Sequence, residues 1–151
     1  MGGFKFSLQK ILNYRGQLLA VEEGKLREID RELLLLEAEH AALLQKIKTA
    51  EDSLQEEAAR GLEVMKYKLR KDYIHGLVKL MEELKPKVVA VRARREAQLA
   101  MVLEASKNQK ILEKLRERHL LEYNEMLAKR EEKAIEEFVN NLNSASLAYG
   151  S

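Results

Sequence analysis

The side chains with the greatest chemical reach in this chain are three histidines and a series of paired carboxylates. His40, His75 and His119 stand 35 and 44 residues apart, and none has another His, or a Cys, one helical turn away. A metal site on a helix needs ligands at i and i+4 on one face, so this spacing predicts no metal centre. Glu22-Glu23, Glu56-Glu57, Glu131-Glu132 and Glu136-Glu137 could supply a general acid and base only inside a pocket that separates their pKa values. Set among lysines and arginines in helical sequence, they read as solvated faces. The seven glycines, at 2, 3, 16, 24, 61, 76 and 150, include none that precedes Lys-Ser or Lys-Thr, so a phosphate-cradling loop is missing. Cysteine is absent, which removes disulfides, thiolate ligands and redox chemistry. These residues predict no enzymatic activity, no cofactor and no small-molecule ligand. Function must then lie in contacts with other macromolecules.

The elements that would carry such contacts are long helices. Charged residues make up 34% and hydrophobic residues 46%, with no Trp, one Pro and 5% aromatics. That is the balance of extended helices and not of a thick core. Ser7 is a candidate N-cap with Phe6 positioned to staple onto Ile11, so a helix is expected from about residue 8. A seven-residue repeat follows. One line of the seam falls on Leu12, Leu19, Leu26, Leu33, His40, Ile47 and Leu54, the other on Arg15, Glu22, Ile29, Leu36, Leu43 and Ala50. Spacings of 3 and 4 keep these on one side of a slightly underwound helix, the requirement of a coiled coil. The polar seam residues Arg15, Glu22 and His40 suit either a register-setting role or exposure where the pair is splayed. To about residue 60 this helix would be some 80 Å long, and it cannot bury its stripe alone.

Gly61, Gly76 and Pro86 punctuate residues 61–87, where Leu62, Met65, Leu69, Tyr73, Leu77, Leu80 and Leu84 still recur at 3 or 4; short helices with breaks are expected there. From Pro86 a second long helix, about 88–142, is signalled by Val88, Val91, Leu99, Val102, Ala105, Leu112 and Leu115. It continues through His119, Tyr123, Leu127, Ala134, Phe138 and Leu142, where steps of four act as a stutter. Asn140, Asn141, Asn143 and Ser144 announce a frayed tail over 143–151. The expected fold is all-α: one elongated coiled-coil domain, residues 1–151, with two long helices in an antiparallel hairpin. A parallel homodimer is the structural alternative.

Charge is uneven. Residues 61–95 carry 10 Lys+Arg against 4 Asp+Glu, while residues 1–60 carry 9 against 11. Lys66, Lys68, Arg70, Lys71, Arg92, Arg94 and Arg95 form a candidate basic docking face, for phosphates with Tyr67 and Tyr73 stacking on bases, or for an acidic protein. No nucleic-acid module is recognisable, which favours the protein. No apolar run approaches the ~20 residues of a membrane span and no signal-peptide core is present, so a soluble, unexported protein is expected.

Three stretches resemble the FliJ family of flagellar type III export proteins: Phe4-x-Phe6-x-Leu8-Gln9-Lys10-Ile11-Leu12-x-x-Arg15 at the start; Met65-x-Tyr67 with Tyr73-Ile74-x-x-Leu77 in the middle; and Lys110-x-Leu112-Glu113-Lys114-Leu115-Arg116-Glu117-Arg118, Tyr123 and Glu136-Glu137-Phe138 beyond. Single pieces such as the LEKLRE string recur in many coiled coils; order, spacing and length carry the match. The resemblance implies a non-enzymatic hairpin similar to the central stalk of rotary ATPases. It would be cytoplasmic at the flagellar base, reaching the inner membrane only through partners. The implied partners are the flagellar export ATPase hexamer, the cytoplasmic domain of the export gate, and export chaperones. Phe4, Phe6, Leu8, Ile11, Leu12, Arg15, Tyr123, Arg130 and Phe138 would then lie near the ATPase. The gate would be met by Tyr73, Leu77, Leu80 and Leu84, although family members often carry a polar residue at Leu84 and these four also suit a hairpin core. The corresponding stalk of a virulence injectisome, a basic nucleic-acid-binding rod and a scaffold coil are the rival readings.

Overall fold

The computed structural model describes residues 3–149. It is an all-α helical hairpin of two elements, α1 (Gln9–Arg60) and α2 (Val64–Tyr149), with no strand among the described residues. The Leu8 carbonyl accepts the first helical bond, from Leu12 N–H at 2.9 Å, so α1 starts within a residue or two of the expected Ser7 cap. Phe6, predicted as a staple on Ile11, is instead buried with its ring edge-on to His119 of α2, and Ile11 faces outward. At the other end of α1, Gly61 takes φ +95°, a left-handed conformation that a Cβ would strain, and its N–H reaches back to the Ala58 carbonyl at 3.2 Å. That one glycine turns the chain.

The expected series of breaks over 61–87 is not there. Only residues 61–63 interrupt the helices, and α2 runs for 86 residues with Gly76 and Pro86 inside it. Both lie on the exposed side of α2. Water can therefore solvate the Glu82 carbonyl that Pro86 leaves without a helical donor. The expected second helix from about 88 is the continuation of α2. The expected tail is helical through Tyr149, and its last two residues, 150 and 151, lie outside the described residues.

The contacts divide the chain into two compact units, Leu19–Glu104 and a second made of the segment up to Leu18 with the segment from Ala105. In the first, α1 and α2 run antiparallel over a core in which Leu43, Ile47 and Leu54 meet Ile74, Leu77, Leu84 and Val88, flanked by Leu33, Leu36 and Met81. Each such side chain contributes roughly 1.5–3 kcal/mol on burial. Every predicted seam residue of α1 that falls in this unit is buried or half-buried. In the second unit the start of α1 lies on α2 between Ala105 and Tyr123, and Phe6 and Leu12 are its buried anchors. The helices do not match in length: α1 has 52 residues. Phe4 rests on Tyr123, and beyond it residues 124–148 of α2 are exposed throughout.

Candidate docking surfaces

The stripe predicted to meet an export gate is divided by the fold. Leu77 and Leu84 are 8% and 5% exposed and belong to the hairpin core, whereas Tyr73 and Leu80 are 58% and 53% exposed. The four therefore do not form one face, because residues seven apart point into the α1 contact while Tyr73 and Leu80 sit at its edge. Tyr73 instead lines an open cavity of about 590 Å³ between the helices, with Leu69 beside it. From α1 the cavity is lined by Gln45, Thr49 and Ser53 at successive turns together with Lys46, and Arg70 of α2 lines it as well. Gln45, Thr49 and Ser53 were legible only as an uncharged i, i+4, i+8 line. Nothing in the sequence tied it to α2.

Four of the seven residues of the predicted basic face are engaged with acids of α1. Arg70 pairs with Glu57 at 2.8 Å, Arg92 with Glu37 at 3.1 Å, Arg94 with Glu32 at 3.0 Å and Arg95 with Asp30 at 2.6 Å. Asp30 raises the Arg95 guanidinium above its ordinary range, first by accepting its hydrogen bond and then by charge, so that proton is held still more firmly. Lys66 and Lys68 are exposed and carry no ion pair among the described residues, and Lys71 is half-buried. Folding thus sets the basic stretch against the acidic one. Residues 19–104 together hold 16 Lys+Arg and 17 Asp+Glu, a near balance that removes the strong positive field duplex binding needs. Pairs this exposed contribute about 0–1 kcal/mol each, so they select register more than they stabilise.

Register has a second determinant at Glu22, a polar residue on the seam. Gln98 Nε2 donates to its carbonyl at 3.0 Å and to its Oε2 at 2.5 Å. The Gln98 bond holds the Glu22 carboxyl below the usual carboxylate range; partial desolvation opposes this, and Lys25 at 3.3 Å reinforces it. Of the other predicted polar seam residues, His40 is half-buried beside Val88 and Arg92, and Arg15 is half-buried.

The nine residues predicted near an ATPase separate into two kinds. Phe6 and Leu12 are buried, and Phe4, Leu8, Arg15 and Tyr123 are half-buried where the start of the chain meets α2. Phe4 packs on Tyr123 with centroids 5.7 Å apart and lies under Arg116 at 5.5 Å, while Arg116 Nε donates to Gln9 Oε1 at 3.1 Å. These side chains hold the N-terminal segment down. Ile11, Arg130 and Phe138 are the exposed ones, and Phe138, 63% exposed, lies on the part of α2 that no other helix covers. Residues 126–147 also expose Leu127, Ile135, Val139 and Leu142. Among the described residues no helix is long and apolar enough to cross a membrane.

Leu69 and Tyr73 on one stretch of α2, and Phe138 on another, are thus exposed apolar side chains on a helical hairpin. A family model, Flagellar FliJ protein, matches residues 4–146, nearly the whole chain. The chain belongs to the FliJ family, a non-enzymatic component of flagellar protein export. No curated protein and no solved structure gave a match.

Proposed function

We propose that this protein is the stalk of a flagellar export apparatus, binding and stimulating the export ATPase ring and linking it to the cytoplasmic domain of the export gate and to export chaperones. The observation that supports it most is the family match over residues 4–146 on a chain whose α2 carries a long uncovered helix. A single stiff helix displaying Phe138 and Arg130 fits the central hole of a hexamer. An asymmetric rod there meets the subunits unequally, so each subunit's nucleotide affinity depends on the face it touches. Tyr73, with the cavity it lines, and Leu80 are the surface for the gate; the exposed Lys66 and Lys68, earlier on α2, supply positive charge. Such partners place the protein in the cytoplasm at the flagellar base. The test is titration into the purified export ATPase. Hydrolysis is expected to rise in wild type and to stay at its basal rate with Phe138→Ala, whereas Tyr73→Ala stimulates as wild type does and loses gate binding. Absence of stimulation and of binding by wild type at about 10 μM, where a complex worth ~7 kcal/mol would form, overturns the reading.

A further inference from the structure

In the unit formed by the start of the chain and the region of α2 from Ala105, the seam of α2 runs on past the residues that the N-terminal segment covers. From His119 it steps by four through Tyr123 to Leu127 and Glu131, and then continues as Ala134, Phe138 and Asn141 at spacings of 3 and 4. His119 and Tyr123 are half-buried, but from Leu127 on the line is exposed. A helix gains most of its stability from a packed apolar face, and here that face is present without a partner.

We propose that residues 121–142 of α2 pair antiparallel with the same residues of a second copy of this chain, forming a homodimer through the uncovered helix. The inward line of the pair is Asn124, Leu127, Glu131, Ala134, Phe138 and Asn141. In the register that sets Leu127 against Phe138 of the second copy, Asn124 faces Asn141, and Glu131 faces the small Ala134, which leaves its carboxylate room to reach water. The flanking positions agree with the same register. Arg130 on one edge meets Glu137 of the second copy, and on the other edge Ala128 meets Ile135 and Leu121 meets Leu142. The two-fold axis repeats every one of these contacts, as a self-complementary interface requires. Leu121, Ile135, Phe138 and Leu142, each more than half exposed, are all covered in this way.

The parallel arrangement fails the same residues. In register it places Glu131 on Glu131 in the seam, and it sets Arg130 and Glu137 beside Ile135 and Leu142 instead of beside each other. The antiparallel pair is thus selected by charge and by size together. This pairing goes beyond the stalk reading and needs no other protein; it covers Arg130 and Phe138, so the dimer and a ring-bound stalk are alternative states of the same face.

Sedimentation of the full chain tests it. The mass is expected to rise from 17.4 kDa toward twice that value with concentration up to about 100 μM. Phe138→Glu is expected to weaken association at least ~30-fold with helicity unchanged. Glu137→Arg should weaken it several-fold, and the exchange R130E with E137R should restore it. Because the chain has no cysteine, orientation is read by disulfide formation: a mixture of N124C and N141C should cross-link to each other, and neither alone to itself. A mass of 17.4 kDa at every concentration, self-cross-linking of either variant, or a charge exchange that does not restore association overturns the proposal.

Discussion

Leu54 and Phe138 are both large apolar residues on the predicted seam of a long helix, yet Leu54 is 4% exposed and Phe138 is 63% exposed. Periodicity does not separate them: each stands in a charge-rich helical stretch and recurs with other apolar residues at coiled-coil spacing. What differs is the presence of a second helix. Within residues 19–104, α1 and α2 cover each other's stripes, while residues 124–148 of α2 have no α1 left to meet. Periodicity thus marks a face that wants a partner, without saying whether that partner is the same chain or another. In the packed region the stripe stabilises the fold; in the uncovered region it is available for assembly.

The strongest way to break this comparison is to truncate one residue in each region. Leu54→Ala is expected to cost about 2–5 kcal/mol in urea unfolding, the transfer loss plus the cavity left in the core. Phe138→Ala, measured on dilute protein, should change stability by less than ~0.5 kcal/mol, because its side chain already stands in water. Equal losses would show that the uncovered helix is part of the folded core after all.

A smaller effect is expected at the turn that makes the packed region possible. Gly61 adopts φ +95°, and its missing Cβ would meet no other atom, so strain at the backbone is the whole penalty. Gly61→Ala should lower stability by roughly 1–2 kcal/mol, and Gly61→Asn by less, since Asn tolerates the left-handed region. The same substitution at Gly76, inside α2 and equally open, should raise stability by up to ~1 kcal/mol. The two glycines would then move thermal melts in opposite directions.

The smallest effect sharpens the role of the polar seam. The fold holds the Glu22 carboxyl below its ordinary value of 4.5, chiefly through the Gln98 bond. A lowered folded pKa contributes stability that is complete above the ordinary value and is lost as pH falls through the folded one. Gln98→Leu should therefore narrow its stability gap from wild type as urea unfolding is moved from pH 7 to about 2. A gap independent of pH would assign the effect to the second bond Gln98 makes, to the Glu22 carbonyl.

Much of the fold was legible. The heptads of α1 name the residues that are buried, but the turn was expected as a broken stretch over 61–87, and only the structure narrows it to residues 61–63 with Gly61 at positive φ. Gly76 and Pro86 misled for one reason. Propensity counts the cost of a glycine or a missing N–H without knowing which face it lies on, and on a solvated side of a long, packed helix that cost is borne. The candidate surfaces were less legible. Tyr73, Leu77, Leu80 and Leu84 share a spacing that serves the core and a docking face equally, and only the position of α1 divides them into two buried and two exposed. The basic stretch looked like a field until Asp30, Glu32, Glu37 and Glu57 were set against its arginines.

By itself, the amino-acid sequence determined that the chain is helical, that its two long helices are separated somewhere within residues 61–87, and which side of α1 is apolar. It also carries the pattern by which the chain belongs to the FliJ family. Pairing was decided only in three dimensions: which arginine meets which acid, which half of an apolar stripe is covered, and that α2 outruns α1. Periodicity is a property of one helix, whereas burial and charge compensation belong to two, and their register is set by the sum of contacts along the whole pair.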